Sequence, residues 1–254
     1  MAKLGDWSAL LLVLSLTGSG CSYRYYVGDL KPLNEELQGE GRTVADDGTV
    51  TYVHERLEIS LRPMSDDELN RQFSAYSNEG TRSTNPYTFG NSEIFRTGET
   101  PQRFTIFRLR IENYEYPKVY LNPMKIHLTT GNGRTYYALS YEQLYVYFRR
   151  YGGGGAGGVL SGIPGNEFGE WRSRIDLLKR TMFPDEHIFS AQEREGFIVF
   201  KPLPPDVSRV TVNIPDVVLR FDYKDDPTET TEVTAEFQRP IGRIYPDRRE
   251  ISEN

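Results

Sequence analysis

The feature that most constrains this chain is a recurring alternation of apolar and polar residues with period two. Leu57, Ile59 and Leu61 alternate with Glu58, Ser60 and Arg62, and Phe107, Leu109 and Ile111 alternate with Arg108, Arg110 and Glu112. A chain that repeats every second residue puts one face in a core and the other in water, which is a half-buried β-strand. The spacing predicts strands over 49–62, 104–113, 119–129, 134–139, 196–203, 209–214, 217–223 and 230–239. Turn formers separate them: Asp47-Gly48, Gly131-Asn132-Gly133, Pro204-Pro205, Pro215-Asp216 and Asp225-Asp226-Pro227.

Helical patterns are fewer. Ser65-Asp66-Asp67-Glu68 and Ser140-Tyr141-Glu142-Gln143 both read as capping boxes, in which the serine hydroxyl takes an amide three residues on and the acid or amide side chain reaches back. They open helices over 66–76 and 141–150. A third helix, over 167–182, is spaced by Ile175, Leu178 and Met182. No βα unit repeats, so a parallel sheet is disfavoured and an antiparallel β-sandwich is expected. Phe107 to Asn113, Leu121-Asn122-Pro123, Gly131 to Tyr136 and Glu195 to Phe200 together resemble the immunoglobulin-like sandwich domains of secreted bacterial lipoproteins. That resemblance implies a mainly β, immunoglobulin-like antiparallel sandwich with short helical insertions. It brings no catalytic residue with it. The expected division is a signal over 1–20, a polar tether over 21–48, the sandwich over 49–239 with its helical insertion near 140–186, and a polar tail over 240–254.

The N-terminus holds the address. Lys3 lies in a short polar start, an apolar run spans Ala9 to Leu16, and Thr17-Gly18-Ser19-Gly20 precedes the single cysteine of the chain, Cys21. These are the three parts of a secretory signal. The apolar run is too short for a hydrocarbon layer that needs about 20 residues to cross. The small residues before Cys21 resemble the lipobox of bacterial lipoproteins, with Gly18 where that family has leucine and Asp6 in a segment that is usually net positive. The resemblance implies that Cys21 becomes the first mature residue and carries acyl chains such as palmitate, anchoring the protein in the cell envelope. Ser22 implies an outer-membrane destination, facing the periplasm or the cell surface. The alternative is a secreted soluble protein with a leftover thiol. Tyr23, Tyr25 and Tyr26 follow at once, and either rest at headgroup level or begin the fold.

Chemistry is sparse. The formal charge of -6 argues against a nucleic-acid protein. There is no G-x-S-x-G and no H-E-x-x-H, and His54, His127 and His187 are far apart with no ligand spacing. No metal or cofactor is expected. Gly152, Gly154 and Gly157 match a dinucleotide pattern only because any glycine run does. The acidic run Asp66-Asp67-Glu68 suits a helix N-terminus, and the carboxylates from Asp222 to Glu229 suit a solvated turn.

Two features remain as a partner surface. Tyr141, Tyr145 and Phe148 share one helical face, expected to pack on the sandwich, which leaves Tyr147 and Tyr151 on another. Beyond the glycine run, Val159, Leu160 and Ile163 offer a small adaptable apolar patch. The sequence therefore points to a non-catalytic binding or scaffolding module held at the membrane by Cys21, with an envelope protein or glycan as partner. An envelope enzyme acting on glycan through unidentified carboxylates and a small-ligand carrier are the alternatives.

Overall fold

The computed structural model describes residues 24–92, 101–151, 165–244 and 250–253. The chain begins with β1 (Arg24–Val27), β2 (Lys31–Pro32), a single helical turn α1 (Glu35–Gln38) and β3 (Arg42–Val44). It continues through β4 (Val50–His54), β5 (Leu57–Met64), helices α2 (Asp66–Gln72) and α3 (Ser74–Ser77), and β6 (Thr105–Asn113). Next come β7 (Lys118–Val119), β8 (His127–Thr130), β9 (Thr135–Tyr137), α4 (Tyr141–Tyr151) and α5 (Gly165–Thr181). The last strands are β10 (Ile188–Phe189), β11 (Gln192–Phe200), β12 (Arg209–Phe221), β13 (Pro227–Gln238), β14 (Ile241–Ile244) and β15 (Glu250–Glu253).

Two five-stranded antiparallel sheets, ordered β11-β6-β5-β4-β3 and β2-β13-β12-β8-β9, pack face to face as an antiparallel β-sandwich with short helical insertions. The alternation read from the sequence sets the faces. Leu57, Ile59, Leu61, Phe107, Leu109 and Ile111 of the first sheet meet Val210, Val212, Ile214 and Phe237 of the second in one buried core. Arg108, Arg110 and Glu112 face outward, where Arg110 binds Glu193 at 2.6 Å and Glu112 at 3.0 Å.

The outer face of the first sheet is not wholly wet. Phe197-Ile198-Val199-Phe200 is a continuous apolar run, and every member is buried because β11 is covered on both sides. Ile198 and Phe200 point into the sandwich, while Phe197 and Val199, with Met64 and Ile106, meet a second core formed by Leu69, Phe73, Leu144, Phe148 and Leu178. The helices thus form a third layer over one end of the first sheet. Both capping boxes are formed: Ser65 accepts from the Glu68 amide, and Ser140 exchanges hydrogen bonds with Gln143. The polar segment after α3 is drawn into this layer. Asn85, Tyr87 and Thr88 are buried, with Asn85 holding the Ser77 hydroxyl and the Tyr87 amide, each at 2.9 Å.

Several expected boundaries are corrected. The stretch 21–48 is not a tether from Arg24 onward, since β1 pairs with β14, β2 with β13 and β3 with β4. Its polar composition reflects edge strands and side chains that bond to backbone. Gln38 is buried, donating to the Glu236 carbonyl at 2.7 Å and accepting from the Glu236 amide at 2.9 Å, so its amide group stands in for a strand residue. Arg42 donates to the Thr234 carbonyl at 2.6 Å, tying the two sheets together. The tail after 240 likewise carries β14 and β15. The strand expected over 49–62 is a hairpin whose turn contains Glu55 at φ 49, a conformation usually given to Gly or Asn. Pro215-Asp216 is no turn but a bulge within β12, where the register gains one residue between Ile214 and Val217 and Asp216 takes φ 53. The strand expected over 119–129 is interrupted by a 3-10 turn at Pro123–Lys125.

Gly196 sets how the helical layer seats. A Cβ there would lie 2.4 Å from the Phe183 backbone, whose amide donates to the Phe197 carbonyl at 3.0 Å as α5 runs out onto β11. Gly196→Ala is expected to lower stability by about 1–3 kcal/mol, as forced overpacking does, read as a drop in the urea midpoint with an unchanged slope.

Candidate functional site

The residues expected to form a partner surface are not brought together by the described structure. Cys21, Val159, Leu160 and Ile163 lie outside the described residues, as does the run Gly152 to Gly158. Tyr151 closes α4, and its side chain also lies outside the description. Tyr147 is half-buried, its ring edge-on to Phe104 at 5.3 Å and to Phe148 at 4.9 Å, so it belongs in part to the helical-layer core. The Tyr141, Tyr145 and Phe148 stripe packs inward as its spacing predicts.

A groove of about 1060 Å³ lies where β1 and the loop after it pass the start of α2. Its walls include Tyr25, Tyr26, Asp29, Asp47, Asp66 and Arg239. Three charged groups of its wall, Asp47, Glu68 and Arg239, are engaged in holding the fold. Arg62 pairs with Glu68 and donates to the Asp47 carbonyl at 3.1 Å. Hydrogen bonds from Thr49 hold the Asp47 carboxyl below its usual range. Arg239 is buried, which lowers its pKa to about 10, and it donates to the carbonyls of Pro204 at 2.6 Å, Val207 at 2.7 Å and Leu203 at 3.3 Å.

Asp66 differs from these three. It opens α2, where the helix dipole favours a carboxylate by roughly 0.3–1 kcal/mol. Burial opposes this, and with Asp29 and Asp67 nearby it pushes the carboxyl up to about 7, against a smaller pull from Arg103. A group of this kind can give or take a proton near neutrality. Sequence reading found Asp66 as a helix-start residue and passed over Asp29 in a supposed tether. No local pattern marks the pair, because their approach depends on β1 docking against β14.

The opposite end of the sandwich carries a second concavity, of about 850 Å³, between Glu55-Arg56, 115–118 and 219–222. Tyr116 donates to Glu55 there at 2.8 Å. Beside it His187 lies 5.2 Å from Tyr120 and 5.5 Å from Phe221, and Lys118 sits 4.3 Å over the Phe221 ring. At the hairpin tip Tyr223 is 89% exposed. His127, on β8, has its Nδ1 3.0 Å from the Lys125 carbonyl and tilts against Tyr137. Among the described residues no group of three His, Cys, Asp or Glu side chains converges as a metal site.

The raised Asp66 pKa has a definite sign in stability. The folded form holds this proton more tightly than the unfolded chain, whose Asp pKa is near 3.9, so the contribution is full below about pH 4 and is lost as pH rises through about 7. Urea midpoints are expected to fall between pH 5 and pH 8, and Asp66→Asn should flatten that fall. An equally steep fall in the variant would assign it to another group.

No family model and no curated protein matches the chain. Among solved structures it is similar to MPT63, a secreted protein of Mycobacterium tuberculosis, at 10% identity over 68% of this chain and 90% of that one, with a TM-score of 0.29. A likeness at that level carries no argument about function.

Proposed function

We propose that this chain is an envelope lipoprotein whose signal ends at Cys21, whose lipid holds it to a membrane, and whose sandwich is a non-catalytic binding or scaffolding module. The anchoring part is supported by the lone cysteine after an apolar run and a small-residue stretch. Acylation contributes about 0.8 kcal/mol per buried methylene, so two or more chains hold a protein firmly. No helix among the described residues is long and apolar enough to cross a membrane. The observation that most favours a binding role over catalysis is the engagement of three charged groups of the groove wall within the fold. Glu68 pairs with Arg62, Asp47 accepts from the Thr49 amide and Arg239 donates to loop carbonyls, which leaves all three poorly placed to act on a reacting bond. With a lipid on Cys21 and Ser22 behind it, the outer membrane is the reading the lipobox resemblance favours. The partner is then another envelope protein or a glycan, and no cofactor is invoked.

One observation favours a second reading, an envelope enzyme acting on glycan. Asp66 stands in the groove with its carboxyl pushed up to about 7, and Asp29 and Asp67 are near enough to contribute. Sugar hydrolysis uses such a pair, one carboxyl protonated and the other ionised. Release of soluble sugar fragments from envelope glycan by the wild type, abolished in Asp66→Asn, would establish it. Unchanged release in the variant, or none from either, returns the site to a structural role.

The anchoring reading is tested by Cys21→Ser. The wild type is expected to sediment with membranes and to yield an N-terminal peptide heavier by its acyl chains, while the variant appears in the soluble fraction. A wild-type peptide with an unmodified thiol would overturn it. Crosslinking in intact cells, followed by identification of what co-purifies with wild type and variant, then defines the partner.

A further inference from the structure

We propose that the edge of β1 is the face on which the domain rests against the lipid bilayer, with the β12–β13 hairpin tip pointing away from it. This rests on lipidation of Cys21. Three residue steps separate Cys21 from Arg24, the first residue of β1, and at 3.8 Å between successive Cα atoms they reach about 11 Å at most. The leash cannot lengthen without breaking structure. β1 is paired with β14 over four residues, Arg24 with Ile244 through Val27 with Ile241, and the Gly28 amide donates to the Pro240 carbonyl at 2.9 Å. Gly28 also lies so close to Pro240 that a Cβ would fall 2.6 Å from its ring. A lipid on Cys21 therefore holds the start of the strand close to headgroup depth.

The surface suits that position. β1 is the edge strand of its sheet, so residues on both of its faces flank the open edge. Tyr25 and Tyr26, on opposite faces, are 38% and 51% exposed, and the Arg243 guanidinium lies 5.9 Å over the Tyr25 ring. Tyrosine, with an apolar ring and a polar hydroxyl, is favoured at the interface between headgroups and acyl chains. With a formal charge of -6, the chain gains nothing overall from anionic lipid, so the contact is made by aromatic rings at zwitterionic headgroups. The hairpin tip lies at the other end of β13, a strand of 12 residues, which at ~3.3 Å per residue is roughly 40 Å of rigid chain. Tyr223 and the aromatic group around His187 then face outward.

The test uses the full-length mature lipoprotein in phosphatidylcholine vesicles containing a spin-labelled lipid as quencher. An environment-sensitive dye is placed through Tyr26→Cys in one sample and Tyr223→Cys in another. The dye at 26 is expected to lose fluorescence to the quencher and the dye at 223 to keep it. Equal quenching at both sites, or none at 26, overturns the proposal. Should Tyr26→Cys fail to melt as the wild type does, Tyr25→Cys on the other face of the strand takes its place with the same expected loss. The mass of the N-terminal peptide is read from the same preparation. A lipidated Cys21 without quenching at 26 refutes this orientation alone, whereas an unmodified Cys21 refutes the anchoring reading and the orientation with it.

Discussion

The antiparallel pairing of β6 with β11 is the interaction on which the other layers depend. It runs in unbroken register from Thr105 opposite Phe200 to Asn113 opposite Gln192, and its side chains serve two cores at once. Phe107, Leu109, Ile198 and Phe200 fill the space between the sheets, while Ile106, Phe197 and Val199 receive the helices. A one-residue slip would exchange these two sets and send Arg108 and Arg110 into the sandwich, where an unpaired charge is prohibitively costly. Such a ladder is therefore strongly specified. It also explains why the helical residues between β9 and β11 are part of the domain's core. Gly196 matters for the same reason, because it admits the backbone at the end of α5 against the one strand both layers share.

A sandwich of this kind leaves open edges, and β13 has one such edge. Beyond the short β2, the chain uses the Gln38 side chain and the Leu33 amide to satisfy Glu236, and Arg42 to satisfy Thr234. Each replaces a strand hydrogen bond without requiring a continuous strand. The groove is a by-product of this wrapping, since the N-terminal segment must pass over the start of α2 to reach β14. Its charged walls are consistent with that origin. Arg239 satisfies loop carbonyls and Asp47 closes a turn, while burial raises the pKa of Asp66.

The central strands were legible because their pattern is local. Phe107 to Glu112 displays its faces in six consecutive residues, and Ser65 with Glu68, or Ser140 with Gln143, declares a helix start within four. What was not legible depends on distant contacts. β1 and β14 are four residues each, too short to show an alternation, and β14 follows Pro240 in a stretch that composition reads as a tail. Glu55 and Asp216 take positive φ without being glycine or asparagine, so one hairpin was missed and one bulge was taken for a turn. Asn85, Tyr87 and Thr88 have the composition of a surface loop, yet are buried because Asn85 bonds to Ser77 of α3 and to the Tyr87 amide, while Thr88 bonds to Asn70 of α2. At the candidate site, Asp66 was found but assigned only to helix capping. Asp29 was hidden in a segment whose composition resembles a linker.

The amide of Gln38 also bears on how the chain can be shortened. Cutting away the residues before Thr49 as a dispensable leader would remove β1, β2 and β3 together with the side chain that occupies the Glu236 backbone. A strand of 12 residues would then present unpaired donors and acceptors along one side, an open template for another molecule's strand. The polar N-terminal segment thus acts as a built-in guard against self-association, and the natural unit for expression or fusion starts before β1.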